Sequence, residues 1–536
     1  MIKALFTSKS GSVTSAAIII GALSLMSRLF GVFRDNMLAG MFGAGDILDA
    51  YTSSFLIPDM LLQLLMLGAL SASFIPLFSK YYEKDDEKAW HFTNNILNVF
   101  GVAFAIVSAL AIIAAPWLTQ LVAPGYSGEK LETAIAMSRV IYLSELFFAV
   151  SMVFGSVLQG TKRFFLYSLA PIVNNIGIIL GAIFFVPLMG PIGLAWGSVL
   201  GAAMHALLQT VGVYALGYRY SSVFDLHDKD LRTTGIQMIP RVLGLAVNQI
   251  NFVVMIALAS LSVAGSATVL KFAYNLNSFP IGIIAMAYAV ASFPLMCERV
   301  AAKDMRGFVD AFSSAVRQVL LWIIPATVMF LLLRAQIVRL AFGRGKFDWV
   351  ATVTTADTLA FFALSFAAQS IVYILVRAFF ALEDTRMPLL AGLIGAVLNI
   401  ALGYFLAPVY GVVGLGAAFS IAAIVQVIVL WGTLRHRVGN LDEKRIVRVG
   451  LLLAIAGAAA GMVTQAAKYA FVAVVPLTTY MAVFVQVLIA GGLGMVIYIG
   501  VGVVLRNEEV LMFARAIRRR MLQQAEPTEA IESHHS

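Results

Sequence analysis

Arg28, Arg34 and Asp35 are the residues of this sequence whose types and spacing best suit chemistry. They sit in the stretch 13–49, VTSAAIIIGALSLMSRLFGVFRDNMLAGMFGAGDILD. Residues 13–27 are almost all apolar or small, so the stretch opens as a membrane helix, and the charges arrive before its apolar character ends. One ionisable side chain at a helix centre costs about 2.5–3.5 kcal/mol on insertion scales. Three near one helix end call for water, partners or a ligand. At helical spacing Arg28 and Asp35 lie about 700° apart, nearly on one face and roughly 10 Å along the axis, while Arg34 points elsewhere. Gly31 between them admits a kink or a close neighbour. Ser24, Ser27 and Gly31 form a small-residue stripe suited to tight helix packing. Two readings compete. Either the charges snorkel to headgroups at the cytoplasmic end, or they line a polar cavity for an anionic substrate. Apolar residues flank Arg28 on both sides, which favours the cavity.

Other polar residues interrupt the apolar segments. Asp59 follows Pro58, and Gln63 lies one turn beyond. Asn174 and Asn175 stand early in a fifth segment; Arg241, Asn248, Gln249 and Asn251 run along a seventh. Lys271, Asn275 and Asn277 precede Pro280 in an eighth, and Lys271 and Asn275 share a face. Singly, each reads as hydrogen-bonding glue between helices. Together with Arg28 and Arg34 they concentrate in the first, second, seventh and eighth segments. A shared, basic-leaning cavity explains that distribution most simply.

The composition sets the class. The chain has 536 residues, of which 61% are hydrophobic and 12% charged. Its mean hydropathy is +0.91. These values describe an all-α polytopic membrane protein. The net charge of +9 reads as Lys and Arg gathered in cytoplasmic loops, with no nucleic acid partner. A single cysteine, Cys297, excludes an internal disulfide and a cysteine-based metal cluster. The histidines at 91, 205, 227, 436, 534 and 535 have no ligand spacing, so no metal site is assigned. There is no GxxxxGK[ST] phosphate loop, and no cleavable signal-peptide pattern opens the chain. Glu383 and Asp384 read as a turn and cap before Pro388. Asp225, Asp228 and Asp230 read as a solvated face.

Fourteen apolar segments are long enough to span about 30 Å. The second and eighth are long and interrupted by Pro58 and Pro280, as in bent helices that line protein or a cavity. Lysines and arginines alternate between loops. Lys80, Lys84, Lys88, Lys162, Arg163, Arg299, Lys303 and Arg306 fall on one side; the other is nearly bare apart from 334–346. That bias places both termini in the cytoplasm, with 334–346 read as an interfacial stretch at the headgroups.

The chain also repeats itself. PLMGPIGLA at 187–195 matches PVYGVVGLG at 408–416, and LQGTKR at 158–163 resembles LEDTRM at 382–387. MSRLFG at 26–31 and SFIPLFS at 73–79 have later counterparts IPRVLG at 239–244 and SFPLMCE at 292–298. Order is preserved, so one unit is six helices, and two parallel copies are related by an axis along the membrane normal. The expected plan is a six-helix bundle over 1–225, a second over 226–440, two further helices over 441–510, and a basic then polar cytoplasmic tail over 511–536.

SRLFGVFRD at 27–35, FGAGDILDAY at 42–51, IP at 57–58 and GALSASFIP at 68–76 strongly resemble the opening of the MurJ/MviN family. LVAPGY at 121–126 and FP at 279–280 fit as well. These are lipid II flippases of the multidrug/oligosaccharidyl-lipid/polysaccharide exporter (MOP) superfamily, and the resemblance covers essentially the whole chain. It implies an alternating-access flippase in peptidoglycan biosynthesis, a transporter and not an enzyme. Its substrate would be undecaprenyl-pyrophosphate carrying the peptidoglycan precursor, moved from the inner to the outer leaflet of the cytoplasmic membrane. On the family pattern Arg28 and Arg34 hold the pyrophosphate region, suited to it by a planar fork of donors and a permanent charge. Asp35 and Asp49 match acids of the same region, and Gln63, Lys271 and Asn275 complete the candidate substrate site. Gly31, Pro58 and Pro280 are candidate structural or hinge positions. The last two helices would form a groove for the polyprenyl tail.

The departures matter. Where the family commonly has an arginine pair this chain has Leu62 and Gln63; where it has a glutamate this chain has Leu67; and an arginine of the eighth helix is replaced by Asn275. Lys271 is the candidate substitute for that arginine, from one turn away. No cofactor is implied; energy would come from the membrane potential or an ion gradient. Membrane lipids and cell-wall synthesis proteins are the candidate partners besides lipid II. The rivals are a flippase for another polyprenyl-linked saccharide, a drug or cation antiporter, a polytopic glycosyltransferase or ligase using a polyprenyl-linked donor, and a structural member of an envelope-assembly complex.

Overall fold

The computed structural model describes residues 13–64, 74–477 and 479–515, with the side chains of 13–18, 236–245 and 248 set apart from the description. Every regular element among the described residues is helical. In chain order, α1 is Val13–Phe42, α2 Asp46–Ser54, α3 Leu56–Leu62, α4 Ile75–Tyr82, α5 Asp86–Val122, α6 Gly128–Gly160, α7 Phe164–Phe184 and α8 Gly193–Tyr214. Then follow α9 Lys229–Ser260, α10 Ser266–Pro280, α11 Met286–Ala301, α12 Met305–Leu332, α13 Arg334–Phe342, α14 Trp349–Leu364, α15 Phe366–Ala381, α16 Arg386–Val438, α17 Glu443–Val474 and α18 Tyr480–Val504. Nine described helical stretches are long and apolar enough to cross a bilayer, or ten if the α14–α15 pair, bent by 47°, is one crossing. The architecture is a polytopic all-α membrane fold, compatible with the fourteen apolar segments of the sequence. The outer face of α5 carries Ile113, Trp117 and Leu121, which are exposed and four residues apart, as expected of a lipid-facing stripe.

The chain forms two compact units. The first comprises Met1–Phe272, Ala341–Thr355 and Ala396–Ala418; the second comprises Ala273–Leu340, Ala356–Gly395 and Phe419–Ser536. In the first, α7 and α8 pack with almost no space between their backbones. Gly177 and Gly181 face Gly201 and Gly197, and a Cβ on Gly181 would lie 2.0 Å from the Gly197 Cα. This is the small-residue contact by which helices associate in lipid. An aromatic core lies nearby, with Phe74 stacked on Phe78 and Phe92. In the second unit, Arg317 of α12 is buried and donates Nε to Glu509 at 2.8 Å, tying the chain after α18 to the core.

The internal repeat is visible in the backbone. Gly190 has φ +67 and ψ −154, and Gly411 has φ +59 and ψ −145. Both fall in a region open essentially to glycine alone. Gly411 breaks the 53-residue α16, too long for one crossing, into two helices. Three residues on, a Cβ at Gly193 would meet the Phe185 carbonyl oxygen at 2.7 Å and one at Gly414 would meet that of Leu406 at 2.6 Å. The same turn is therefore built twice. The upstream match needs one change of register. Lys162 (φ 61) and Glu383 (φ 60) end equivalent helices in the left-handed conformation. The following amides close the same turn, Arg163 to Leu158 at 2.7 Å and Asp384 to Phe379 at 2.9 Å. Lys162 thus pairs with Glu383, where the matched letters pair it with Arg386.

A prediction follows from the turn. Gly411→Ala and Gly414→Ala should each lower stability by about 1–3 kcal/mol, whereas Gly432→Ala, with open space at its Cβ, should be neutral or slightly stabilising. Melting of the detergent-solubilised variants checks this; equal melting of all three would mean the turn is not under steric constraint.

The basic stretch 334–346 is ordered against its neighbours in the fold. Arg334–Phe342 is a helix. The Lys346 amide donates to the Gly40 carbonyl at 2.9 Å, and the Asn36 side chain donates to the Ala341 carbonyl at 2.8 Å. The end of this stretch is therefore docked along the last turns of α1. These two hydrogen bonds hold it there.

Candidate functional site

Arg34 lies on α1 two turns before its end, and α1 packs on α7. Its Nε and Nη2 donate to Asp35 Oδ1 at 2.9 and 2.7 Å, and its Nη1 donates to Asn175 Oδ1 of α7 at 3.0 Å. Asn175 is oriented in turn, since its Nδ2 donates to the Pro171 carbonyl at 3.0 Å and the Ser27 carbonyl at 3.4 Å. Pro171, one turn before Asn175, lies inside α7, and its carbonyl is the side chain's nearer acceptor. The arginine therefore does not point elsewhere, as ideal spacing suggested. Its long side chain folds round the helix and clamps the neighbouring carboxylate. Arg34 keeps 25% of its side-chain surface open while Asp35 keeps 10%. This is a held guanidinium with an accessible face, as anion recognition by a planar fork requires.

Asp59 and Lys271 complete the charge pattern. Asp59, half-buried on α3, lies in the electrostatic field of both Lys271 and Arg34. Lys271 is half-buried on α10, its Nζ 5.3 Å from the centre of the Phe252 ring on α9. Such a contact stabilises an ammonium by about 0.5–2 kcal/mol. Arg34, Asp35, Asp59 and Lys271 are thus one electrostatic neighbourhood in the first unit. Asn275 stands one turn further along α10 and is half-buried; Gln63 ends α3, also half-buried. Arg28 lies on the exposed side of α1, one to two turns before Arg34. Leu62 is buried in the aromatic core, and Leu67 lies outside the described residues.

Asp49 has a different task. It is 1% exposed. Its Oδ2 accepts from the Gly265 amide and from Lys130 Nζ, each at 2.8 Å. Its Oδ1 accepts from the Thr268 amide at 2.9 Å and the Thr268 hydroxyl at 2.7 Å. The carboxylate therefore caps the N-terminus of α10, where unpaired amides and the helix dipole favour a negative charge. Lys130 also reaches Asp46 at 2.8 Å and covers the Tyr126 ring at 4.3 Å. Asp49 is saturated by these partners and sets the position of α10, and through it Lys271.

The hinge candidates divide. Pro58 follows a break at Phe55 between α2 and α3, consistent with its lack of an N–H for the Ser54 carbonyl. Pro280 ends α10, and the backbone continues as a π-helical segment Ile281–Ala285 before α11. Such bulges bend helices and recur at functional sites. Gly31 is inside an unbroken α1 with open space at its Cβ, so it marks neither a kink nor a close approach. Sequence reasoning counted Asp59 among the polar residues of a shared cavity without placing it in the candidate substrate site, read Asn175 singly as interhelical glue, and passed over Glu145, a lone acid in the middle of an apolar helix. An intramembrane acid is a functional candidate by default, and that rule would have found it.

The family model described as Lipid II flippase MurJ matches residues 38–505. The chain belongs to the MurJ lipid II flippase family. A probable lipid II flippase MurJ of Rhizobium tropici is 26% identical over 464 residues, covering 84% of this chain and 86% of that protein. One from Rhizobium meliloti is 25% identical over 93% of this chain and 95% of its own length. One from Vibrio cholerae is 27% identical over 84% and 88%. Among solved structures, a lipid II flippase MurJ in an inward closed conformation superposes with a TM-score of 0.73 at 23% identity, covering 94% of this chain and all of that one. An inward-facing MATE transporter of the MOP superfamily gives 0.63 at 15% identity over 80% of this chain and 99% of its own. Membership of the MurJ family makes the chain a transporter and not a catalytic enzyme. The fold is that of the MOP superfamily, whose solved members include inward- and outward-facing forms.

Proposed function

We propose that this protein flips lipid II, the undecaprenyl-pyrophosphate-linked peptidoglycan precursor, from the inner to the outer leaflet of the cytoplasmic membrane by alternating access. Family membership supports the substrate class, and the Arg34 fork, held by Asp35 and Asn175 yet partly open, is the observation that supports an anion site. Arg28 and Lys271 add positive charge for the pyrophosphate. Two six-helix repeats that each contain the same glycine turn support a rocking pair of bundles, with two added helices. An apolar hollow of about 540 Å³ between α12 and α17, lined by Val328, Leu331, Gly457 and Met462 among others, supports a seat for the polyprenyl tail. The loop charges support cytoplasmic termini, and the membrane potential or an ion gradient supplies the energy. Cell-wall synthesis proteins are the candidate protein partners.

The test is rescue of a cell depleted of its own lipid II flippase. Wild type should rescue growth, and Arg28→Ala should not, at equal membrane levels. Lys271→Ala should weaken binding of undecaprenyl pyrophosphate by about tenfold, the loss of one charge-assisted contact. Unchanged binding would remove Lys271 from the site. A second reading, transport of another polyprenyl-linked saccharide, is favoured by Leu62, which lies in the aromatic core at a position where the family commonly has an arginine. Wild type that is inserted but does not rescue would select it.

A further inference from the structure

Glu145 lies in the middle of α6 and is 1% exposed. Neither of its carboxylate oxygens has a hydrogen-bond partner among the described residues. An ionised carboxylate cannot be held without donors in such a place, where its desolvation is uncompensated. A neutral carboxyl can. The charged group that acts on Glu145 is another acid, Asp59 on α3, which packs against α6. Asp59 is itself offset by Lys271 on α10 and Arg34 on α1. Around these, Tyr142 stands one turn before Glu145, and Tyr51 on α2 faces Asp59 and Arg34 while bonding Ser198 at 2.9 Å. His205 on α8 is engaged by Ser151 at 2.6 Å, nearly two turns along α6 from Glu145. Lys130, at the start of α6, is engaged by Asp46 and Asp49.

We infer that Glu145 and Asp59 form a proton-binding carboxyl pair whose occupancy is coupled to the anion site at Arg34 and Lys271. This rests on the anion-binding reading above. With the anion site empty, the pair holds one proton, on Glu145, and Asp59 is ionised against the two cations. An anionic headgroup that engages Arg34 and Lys271 withdraws their charge from Asp59. Asp59 then faces a buried neutral acid and no cation, and takes up a proton from solvent. One proton thus enters with each headgroup, and release of the headgroup returns it. By linkage, the same free energy makes low pH favour the loaded state. A pH difference across the membrane can then do work on transport through residues of this chain alone.

Two measurements on the purified full-length protein test this. The first needs no substrate. Infrared spectroscopy at neutral pH should show a protonated-carboxyl C=O band that disappears in Glu145→Gln. A spectrum unchanged by the substitution would mean Glu145 is ionised, and would overturn the inference whatever the anion site does. The second is titration calorimetry with undecaprenyl pyrophosphate in detergent micelles, in two buffers of different ionisation enthalpy. Wild type should take up one more proton per bound lipid than Asp59→Asn, because the lipid's own titration is common to both. Its affinity should rise by up to about tenfold per pH unit of acidification relative to that variant. Equal proton uptake by the two would overturn the coupling. Loss of binding in wild type would instead refute the anion-site reading and with it the coupling, while the infrared result would still decide the Glu145 proton. Asp59→Glu, which keeps the carboxyl, separates titration from folding: it should retain the extra proton.

Discussion

Arg34→Ala should abolish transport, with growth of a flippase-depleted cell no better than with an empty vector. The side chain does two things at once. It holds the Asp35 carboxylate and the Asn175 amide through three donors, and it presents the rest of its fork to the site. Removal leaves a nearly buried carboxylate beside an amide oxygen that has lost its donor. Breaking a buried ion pair by removing one partner costs about 3–5 kcal/mol; the partial openness of Arg34 places this pair toward the lower end. Membrane levels should therefore fall only modestly, whereas transport should fall below detection. Arg34→Lys is the informative companion. It restores a charge but not the planar fork that spans Asp35 and Asn175, so it should recover folding and only a small part of the flipping rate. Translocation of a fluorescent lipid II in proteoliposomes, normalised to reconstituted protein, measures both. Wild-type flipping by Arg34→Ala would move the anion site off α1.

Asp49→Ala should be the more damaging substitution for stability. Four donors converge on one carboxylate: two backbone amides, a hydroxyl and an ammonium. Alanine leaves all four without that acceptor in a buried place. Each unsatisfied buried group costs about 1–3 kcal/mol, and more where it is charged. Repair by water offsets part of this, so a loss of about 3–5 kcal/mol is expected. The detergent-solubilised variant should melt well below wild type and accumulate poorly. Asp49→Asn keeps an oxygen for the Thr268 amide but loses the ion pair with Lys130, and should fall between the two. Because Asp49 fixes the start of α10, the surviving protein should also bind undecaprenyl pyrophosphate less tightly, through a displaced Lys271. A wild-type melting curve for Asp49→Ala would show that the cap adds nothing to stability.

The two substitutions separate roles that the sequence presents as one. Asp35 and Asp49 read alike there, as acids near the end of the first helix and just beyond it. In the structure Asp35 serves the accessible arginine, while Asp49 is consumed by a helix terminus more than two hundred residues along the chain. The pair Glu145 and Asp59 shows the converse. These acids are far apart in sequence, yet the packing of α3 on α6 makes them neighbours. Of the two, Glu145 is the one that stands out by itself: no other described acid in the first unit is buried with both oxygens unpartnered.

The membrane-spanning class, the helical segments and the doubled glycine turn follow from the letters alone. Their causes are local: apolar length for a crossing, a missing N–H at Pro58 and Pro280, and a backbone conformation that only glycine tolerates at Gly190 and Gly411. The charged residues of α1 were legible for the same reason, since an ionisable group inside an apolar run is conspicuous wherever it lies. What those groups do was decided only by the tertiary structure. Asn175 meets Arg34, and Thr268 and Gly265 meet Asp49, through hydrogen bonds between helices distant in sequence, and Asp59 lies in the electrostatic field of both Lys271 and Glu145. A carboxylate in a membrane protein is defined by whichever donor or acid the packing brings beside it. Helical periodicity gives the face on which a side chain starts; for a long side chain such as Arg34, the partner on the neighbouring helix determines where it ends.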